Sequence, residues 1–277
     1  MLGNHNSMIK KSVDVCMTVL LLFLMAYQVT GEVLHEWIGM GMTVLVIIHQ
    51  ILNRKWYGAL FKGKYNPYRI VTTVINVILL LALGFTAVSG MSMSGHAVPF
   101  LYGMIKVSFA RRMHLSMSHW TFVVMGLHLG FHIPAMTMKM KLSDRIKTVW
   151  SAVFCLVAGI GLFLFLKNDI PKYLFFRVPF AFLDYEKSGI LVFLENILIL
   201  IFWVYIGTEC SGLCINSQKR SEYKKNPLLP VIFIMTSIIL GLVLNMVSGG
   251  SGKQDFGGAG WNSSEDVSEW LELNGLK

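Results

Sequence analysis

The sequence predicts an all-α fold, a polytopic transmembrane helical bundle of about seven spans. The chain has 277 residues, of which 55% are hydrophobic and 14% are charged, and its mean hydropathy is +0.60. Soluble domains carry about 25% charged residues, so this chain is too apolar to cover itself with polar groups. A spanning helix needs about 20 mostly apolar residues, and seven runs of this kind follow one another. A lipid bilayer is therefore the first predicted partner.

The seven predicted spans are separated by connections of varied length. The first follows Lys10 and Lys11, as a signal peptide would, but no small-x-small cleavage site comes after it. We therefore expect the first span to be retained. The predicted spans cover residues 13–29, 33–53, 70–92, 113–136, 148–166, 189–207 and 228–248.

The positive charges orient the bundle, because cytoplasmic loops of membrane proteins are enriched in Lys and Arg. With the N-terminus inside, the cytoplasmic segments hold 15 of the 24 basic residues. The net charge of +9 then reflects this loop bias and gives no reason to expect nucleic acid as a partner. The predicted topology has a cytoplasmic N-terminus and an extracytoplasmic C-terminus. The cytoplasmic basic residues are Lys10, Lys11, Arg54, Lys55, Lys62, Lys64, Arg69, Lys139, Lys141, Arg145, Lys147, Lys219, Arg220, Lys224 and Lys225.

Two pairs of histidines occur at equal spacing in the second and fourth predicted spans. His35 and His49 are 14 residues apart, and so are His114 and His128. On a helix, 14 residues turn about 1400°, close to four full turns, and rise about 21 Å. Each pair therefore lies on one helix face, with one ring near each membrane surface. Because both spans run in the same direction, His35 should match His114 in depth on the outer side, and His49 should match His128 on the inner side.

Two level pairs of imidazoles are typical of two haem groups stacked across a membrane. Haem iron takes one axial imidazole from each side, and the flat ring fills the space between two helices. Zinc is the competing occupant, but each pair supplies only two ligands at one depth. Any single histidine could instead be a hydrogen-bonded packing residue, whereas two equal spacings favour ligation. The sequence therefore predicts two b-type haems held by His35, His49, His114 and His128.

Two further histidines lie in the fourth predicted span. His132 follows His128 by one turn on the same face, so it is the alternative inner ligand, or a group beside a haem propionate or a quinone. His119 points away from both His114 and His128. We therefore expect His119 to face another helix.

Charged residues lie near both predicted haem levels. Arg111 and Arg112 open the fourth predicted span, and Arg54 follows the second; anionic haem propionates suit such cations. Anchoring at the membrane interface is an equally good interpretation of these arginines. Glu195, inside the sixth predicted span, is either a proton acceptor in a quinol or flavin pocket or the partner of a cation such as Arg177.

Two stretches of the sequence resemble a known family. "MAYQVTGEVLHEWIGMGMTVLVIIHQILNRKWYGALFKGKYNPYR" (residues 25–69) and "ARRMHLSMSHWTFVVMGLHLGFH" (residues 110–132) are similar to the flavinylation-associated cytochromes. These are bacterial di-haem membrane proteins, related in architecture to cytochrome b and ferric-reductase membrane domains. The likeness covers roughly residues 10–208. Gln50 and His119 depart from the family pattern, which has a histidine and an aromatic residue there.

This resemblance implies a four-helix di-haem core in the bacterial cytoplasmic membrane. It also implies haem ligation at the same four histidines, a further family histidine at His132, and coupling to extracytoplasmic flavin-carrying proteins. The chain then divides into four parts. They are a di-haem four-helix membrane core (1–140), two further transmembrane helices (141–208), a cytoplasmic loop with the seventh helix (209–248), and a flexible acidic extracytoplasmic tail (249–277).

Three functions are consistent with these features. The first is an electron-transfer subunit, a di-haem cytochrome that exchanges electrons with the quinone pool or a membrane dehydrogenase and with an extracytoplasmic flavoprotein. The second is a quinol-oxidising membrane anchor of a separate redox enzyme. The third is a haem-free transporter or sensor in which the histidines relay protons. The Gly-rich "SGGSGKQDFGGAG" follows no predicted strand, so no nicotinamide site is predicted and any flavin would belong to a partner.

Overall fold

The computed structural model describes residues 2–63, 66–137 and 143–219, and within these ranges the chain forms helices and no strand. The prediction of an all-α fold is confirmed for this part of the chain. The helices are α1 (Leu2–Met25), α2 (Tyr27–Leu52), α3 (Lys55–Ala59), α4 (Pro67–Met91), α5 (Val107–Thr137), α6 (Asp144–Lys167), α7 (Ile170–Leu174) and α8 (Gly189–Lys219), with one 3-10 turn at Pro99–Leu101.

Four helices of the described ranges are long and apolar enough to cross a membrane. They correspond to the second, third, fifth and sixth predicted spans, and they identify the chain as a multi-pass membrane protein. The four segments are Tyr27–Leu52, Pro67–Met91, Thr148–Lys167 and Gly189–Ile215.

The other three predicted spans have different outcomes. The first lies in α1 and the fourth in α5, helices of 24 and 31 residues. Neither is among the four apolar segments, because α1 carries charged residues in its first half and α5 carries several histidines. The seventh, at 228–248, lies outside the described residues. Seven spans therefore remain a prediction.

A break at Gly31 divides α2 into a short first part, residues 27–30, and a main part that follows it. Gly31 has φ 66° and ψ 178°, a backbone conformation that is essentially restricted to glycine. The regular helix that carries His35 therefore begins just after Gly31, close to the predicted start of the second span.

Contacts between helix ends show that α2 and α5 run in the same direction. Ser94, which follows α4, donates its hydroxyl to Glu36 near the start of α2, at 2.7 Å. Tyr68 at the start of α4 donates its hydroxyl to the carbonyl oxygen of Phe131 near the end of α5, at 3.0 Å. Since α4 is antiparallel to both helices, α2 and α5 are parallel to each other, as the predicted order of spans requires.

Helix α5 is central to the bundle. It packs against α4 and α8, and α8 packs in turn against α6, whereas α2 packs mainly against α1. Phe122, Val123, Val124 and Met125, at the middle of α5, are all buried. The helices after the predicted boundary at residue 140 therefore belong to the same bundle as the histidine-bearing helices, and the predicted boundary at 208 falls inside α8.

Glycines bring α5 and α8 into backbone contact. A Cβ atom on Gly126 would lie 2.5 Å from the Cβ of Trp203, and one on Gly130 would lie 2.3 Å from the carbonyl oxygen of Val204. Gly207 of α8 approaches α5 equally closely. Gly126 and Gly130 form the small-xxx-small pattern that lets transmembrane helices approach one another. This pattern is visible in the sequence and could have predicted the close contact between α5 and another helix.

We expect Gly130→Val to lower the free energy of unfolding by about 1–3 kcal/mol, the usual cost of overpacking, because the new side chain would collide with the α8 backbone. Thermal unfolding in detergent measures the change. Gly159→Val on α6 is the matched control, since an added Cβ there has no neighbour within 4 Å. Equal unfolding temperatures for the two variants would contradict the close α5 to α8 contact.

Candidate functional site

His35 of α2 and His114 of α5 come together at one end of the bundle. Their ring centroids are 6.0 Å apart, and the ring planes are inclined by 77°. With metal–imidazole bonds of about 2 Å and each centroid about 1 Å behind the bonding nitrogen, two axial imidazoles of one metal have centroids about 6 Å apart. The separation of this outer pair therefore suits two ligands of a single iron.

The ring of His114 is held in one orientation by α4. Its Nδ1 atom lies 2.9 Å from the carbonyl oxygen of Thr86. Because a carbonyl oxygen only accepts, Nδ1 carries the proton and Nε2 keeps the lone pair that a metal needs. A Cβ on Gly90 would lie 3.0 Å from Cε1 of this ring. Because Gly90 has no side chain, the ring of His114 fits here without a steric clash.

His35 differs from its partner in having an orphaned nitrogen. Its Nδ1 atom is buried and has no hydrogen-bond partner within the described structure. A buried polar atom left unpaired costs about 1–3 kcal/mol, so such atoms are rare in folded proteins. Nδ1 of His35 is therefore left unsatisfied by the described part of the polypeptide, as is Nε1 of Trp203, and it lacks the kind of acceptor that fixes the ring of His114.

His49, His128 and His132 form an inner cluster at the opposite end of α2 and α5. The rings of His128 and His132 meet edge to face, with centroids 4.7 Å apart. His49 is close enough to interact electrostatically with both of them. The structure thus brings the predicted inner ligands to one level, together with the alternative ligand.

Hydrogen bonds from Nδ1 distinguish the members of the inner cluster. His128 donates to Oδ1 of Asn76 on α4 at 2.9 Å, and His49 donates to Oδ1 of Asp14 on α1 at 2.8 Å. His132 is exposed and has no corresponding acceptor among the described contacts. Since fixed tautomers are typical of metal-binding histidines, this favours His128 over His132 as the inner ligand.

One further group touches His49. The side-chain nitrogen of Asn53 lies 3.3 Å from Nε2 of His49 and also donates to the backbone oxygen of His49 at 3.0 Å. The contact to Nε2 is long for a hydrogen bond. A metal bond to Nε2 would replace this contact at little cost.

The two histidine-bearing helices are separated by side chains. Among the described helices, α2 and α5 do not form one of the closely packed pairs. Met42 of α2 and Thr121 and Met125 of α5, which lie between the two histidine levels, are buried.

His119 faces another helix, as predicted. Its ring stacks on Tyr173 of α7, with centroids 4.6 Å apart and planes 5° from parallel. Its Nδ1 lies 2.7 Å from the carbonyl oxygen of Leu115. His119 therefore packs α5 against α7 and belongs to neither histidine cluster.

Glu36, next to the outer pair, anchors the loop that follows α4. Its carboxylate accepts from the hydroxyl of Ser94 and from the backbone amides of residues 95, 96 and 97, at 2.7 to 3.0 Å. Glu32, Glu36 and His96 also have ligand atoms within 4.8 Å of one another. Because Glu36 already caps the loop, the grouping is explained without a metal. The sequence pattern gave no sign that Glu36 binds the loop after α4.

The predicted propionate partners lie at the surface. Arg54, Arg111 and Arg112 are all exposed. The guanidinium group of Arg111 lies 5.5 Å from the ring centroid of Phe180 in the loop before α8, within the range of a cation–π contact. Pairing of these arginines with propionates stays a prediction.

Glu195 forms an ion pair, with a different cation from the predicted one. Its carboxylate accepts from the ammonium group of Lys187 and from the side-chain nitrogen of Asn168, the latter at 2.9 Å. The pairing alternative is therefore realised with Lys187 in place of Arg177. This leaves no need to give Glu195 a role as a proton acceptor.

Comparisons with protein-family models, with curated proteins and with solved structures give no match. The family resemblance of the two sequence stretches therefore stays an expectation. The fold and the site define a class, a multi-pass all-α membrane protein with histidine clusters at both ends of a parallel helix pair. Functional conclusions rest on the geometry of those clusters.

Proposed function

We propose that the protein is a di-haem b-type cytochrome that carries electrons across the bacterial cytoplasmic membrane. The observation that carries the proposal is the outer pair. The ring centroids of His35 and His114, which lie on different helices, are 6.0 Å apart. His49 and His128 would hold the second haem at the inner level. Haem bound in this way accepts and releases single electrons without making or breaking covalent bonds in the protein.

The chain's own groups would orient the ligands and keep the site rigid. Thr86, Asn76 and Asp14 each accept a hydrogen bond from Nδ1 of one predicted ligand. These acceptors fix the ring planes, and they raise the basicity of the ligands. Rigid ligands reduce the reorganisation that accompanies each change of charge.

The outer pair supports metal ligation over a proton relay. A relay needs hydrogen bonds between successive groups, but Nδ1 of His114 is directed to Thr86 and Nδ1 of His35 has no partner in the described structure. Within that part of the chain, the two rings are not hydrogen-bonded to each other. Ligands of a shared iron would have this arrangement.

We also propose a cytoplasmic N-terminus and an extracytoplasmic flavoprotein as one redox partner. The distribution of Lys and Arg supports the orientation, which places His49 on the cytoplasmic side and His35 on the outer side. The resemblance to flavinylation-associated cytochromes supports the partner. In this interpretation the flavin belongs to the partner.

The proposal predicts two b-type haems per chain in detergent-purified protein, measured by haem quantification and a dithionite-reduced minus oxidised spectrum. His35→Ala and His114→Ala should each leave one haem, because each removes an axial ligand of the outer iron. His119→Phe, which keeps an aromatic ring against Tyr173, is the control and should retain both. A folded sample without haem, made with ample haem supply, would refute the proposal and favour the proton relay.

The inner ligand can be assigned with two substitutions one helical turn apart. His128→Ala should remove the inner haem, because it deletes the ring that Asn76 orients. His132→Ala should retain two haems and shift only the reduction potential of the inner one, because an exposed neighbour acts through its charge and polarity. The reverse result would assign the inner site to His132.

We also propose quinol as the electron donor, the role expected of a quinol-oxidising anchor, with a small cavity at the inner end as the candidate binding place for its ring. The volume of this cavity is about 190 Å³, and one of its wall residues, Tyr68, donates a hydrogen bond to the carbonyl oxygen of Phe131, the residue before His132. Aromatic and hydroxyl-bearing walls suit a planar ring with carbonyl groups. The cavity is lined by Trp56, Ala59, Leu60, Tyr68, Arg69, Thr72 and Thr73.

We expect Trp56→Ala to slow haem reduction by a short-chain quinol several-fold, because it removes an aromatic wall of the cavity. Stopped-flow absorbance at the haem bands measures the rate, and reduction by dithionite should stay unchanged. Phe61→Ala, which removes a fully exposed aromatic residue outside the cavity wall, is the control. Equal quinol rates in the two variants would exclude this cavity as the donor site.

A further inference from the structure

The acceptors that fix the predicted ligands differ in charge between the two levels. At the outer level, Nδ1 of His114 donates to the neutral backbone carbonyl of Thr86. At the inner level, Nδ1 of His49 donates to the carboxylate of Asp14 at 2.8 Å. The side chain of His49 is 24% exposed and that of Asp14 is 48% exposed. The inner cluster therefore contains a carboxylate that is hydrogen-bonded to a predicted ligand. At the outer level the carboxylate of Glu36 also interacts electrostatically with His35, but it is bonded to Ser94 and to the loop amides and not to a histidine ring.

The charge of Asp14 remains directed at His49. Lys10 lies one turn earlier on α1, but its ammonium group donates to Oδ1 of Asn53 at 3.0 Å. The described ion pair of Asp14 is the one with His49. The second predicted inner ligand, His128, is fixed by the neutral amide of Asn76. The inner iron would thus feel one carboxylate through one of its two ligands.

A carboxylate that accepts a hydrogen bond from a metal-bound imidazole makes that imidazole a stronger electron donor. The stronger donor stabilises the oxidised iron, which carries one more positive charge than the reduced iron. The nearby negative charge acts in the same direction by Coulomb attraction. Both effects lower the reduction potential, and partial exposure weakens only the Coulomb part.

We propose that Asp14 gives the inner haem a lower reduction potential than the outer haem, so that an electron passes favourably from the inner to the outer side. The proposal rests on the proposed di-haem function. Asp14 is a positioning residue, because it acts through His49. With one haem held by His49 and His128 and the other by His35 and His114, the exchange of one electron between them would require no proton or further reactant.

A redox titration of the full chain, followed by the visible haem bands, tests this proposal. The wild-type protein should show two one-electron steps, and His35→Ala, which keeps only the inner haem, should retain the lower one. Asp14→Asn should raise the lower step and leave the upper step in place. A tenfold change in the reduction equilibrium, which is 59 mV for one electron, is the expected size.

Two further variants keep the result interpretable. Asn76→Asp adds a carboxylate on the other ligand of the same iron, so it should lower the inner step. Asp169→Asn is the matched control, because Asp169 is 47% exposed and pairs with Lys172 away from the histidine clusters; neither step should move. If Asp14→Asn loses the inner haem, Asn76→Asp tests whether a carboxylate bonded to an inner ligand lowers the potential of the inner haem. A lower inner step supports the proposal, and an unchanged inner step overturns it.

The outcomes separate this inference from the proposed function. Absence of haem refutes the di-haem cytochrome itself. Two bound haems with an unmoved lower step in Asp14→Asn overturn the role of Asp14 and leave the cytochrome standing. An inner haem with the higher potential in the wild-type protein also overturns the inference, as does an Asp169→Asn control that raises the lower step as much as Asp14→Asn does.

Discussion

The packing of α5 between α4 and α8 is the constraint on which the rest of the structure depends. Gly126 and Gly130 allow the α8 backbone to approach one side of α5. The contact of α5 with α4 supplies two hydrogen-bond acceptors, Thr86 for His114 and Asn76 for His128. Because both acceptors lie on one helix, α4 determines the orientation of both rings. A shift of α5 along α8 would therefore disturb the outer and inner levels together.

Histidines within a membrane bundle are costly unless their polar atoms are satisfied. His114, His128 and His49 meet this requirement through Nδ1, each with an acceptor on a neighbouring helix. Each of these bonds leaves the lone pair on Nε2, and in His49 this atom has a long contact of 3.3 Å with the side-chain nitrogen of Asn53. The exception is His35, whose buried Nδ1 is orphaned beside His114. The support that the outer pair gives to a bound cofactor therefore comes from the 6.0 Å between its ring centroids, and not from the unsatisfied atom.

The histidine levels could be predicted from the sequence because they depend only on helical geometry. A 14-residue interval places His35 and His49 on one face whatever surrounds them. The acceptors could not be predicted, since Asp14 and Asn76 lie on other helices and are brought to the histidines only by tertiary packing. Hydropathy also predicted the four most apolar spans, but it is weakest for α5, where the histidines that mark the site reduce the apolar character of the helix.

The two ends of the parallel pair α2 and α5 differ chemically, and this difference bears on the direction of electron transfer in the proposed function. Two identical sites would pass an electron equally well either way. Here the inner end combines the Asp14 carboxylate with the cavity beside Tyr68, whereas the outer end offers a neutral carbonyl and a loop capped by Glu36. On the proposed function, an electron donor that binds at the cavity would meet the lower-potential site first. Entry at the inner side and a downhill step to the outer side would then follow from the same asymmetry.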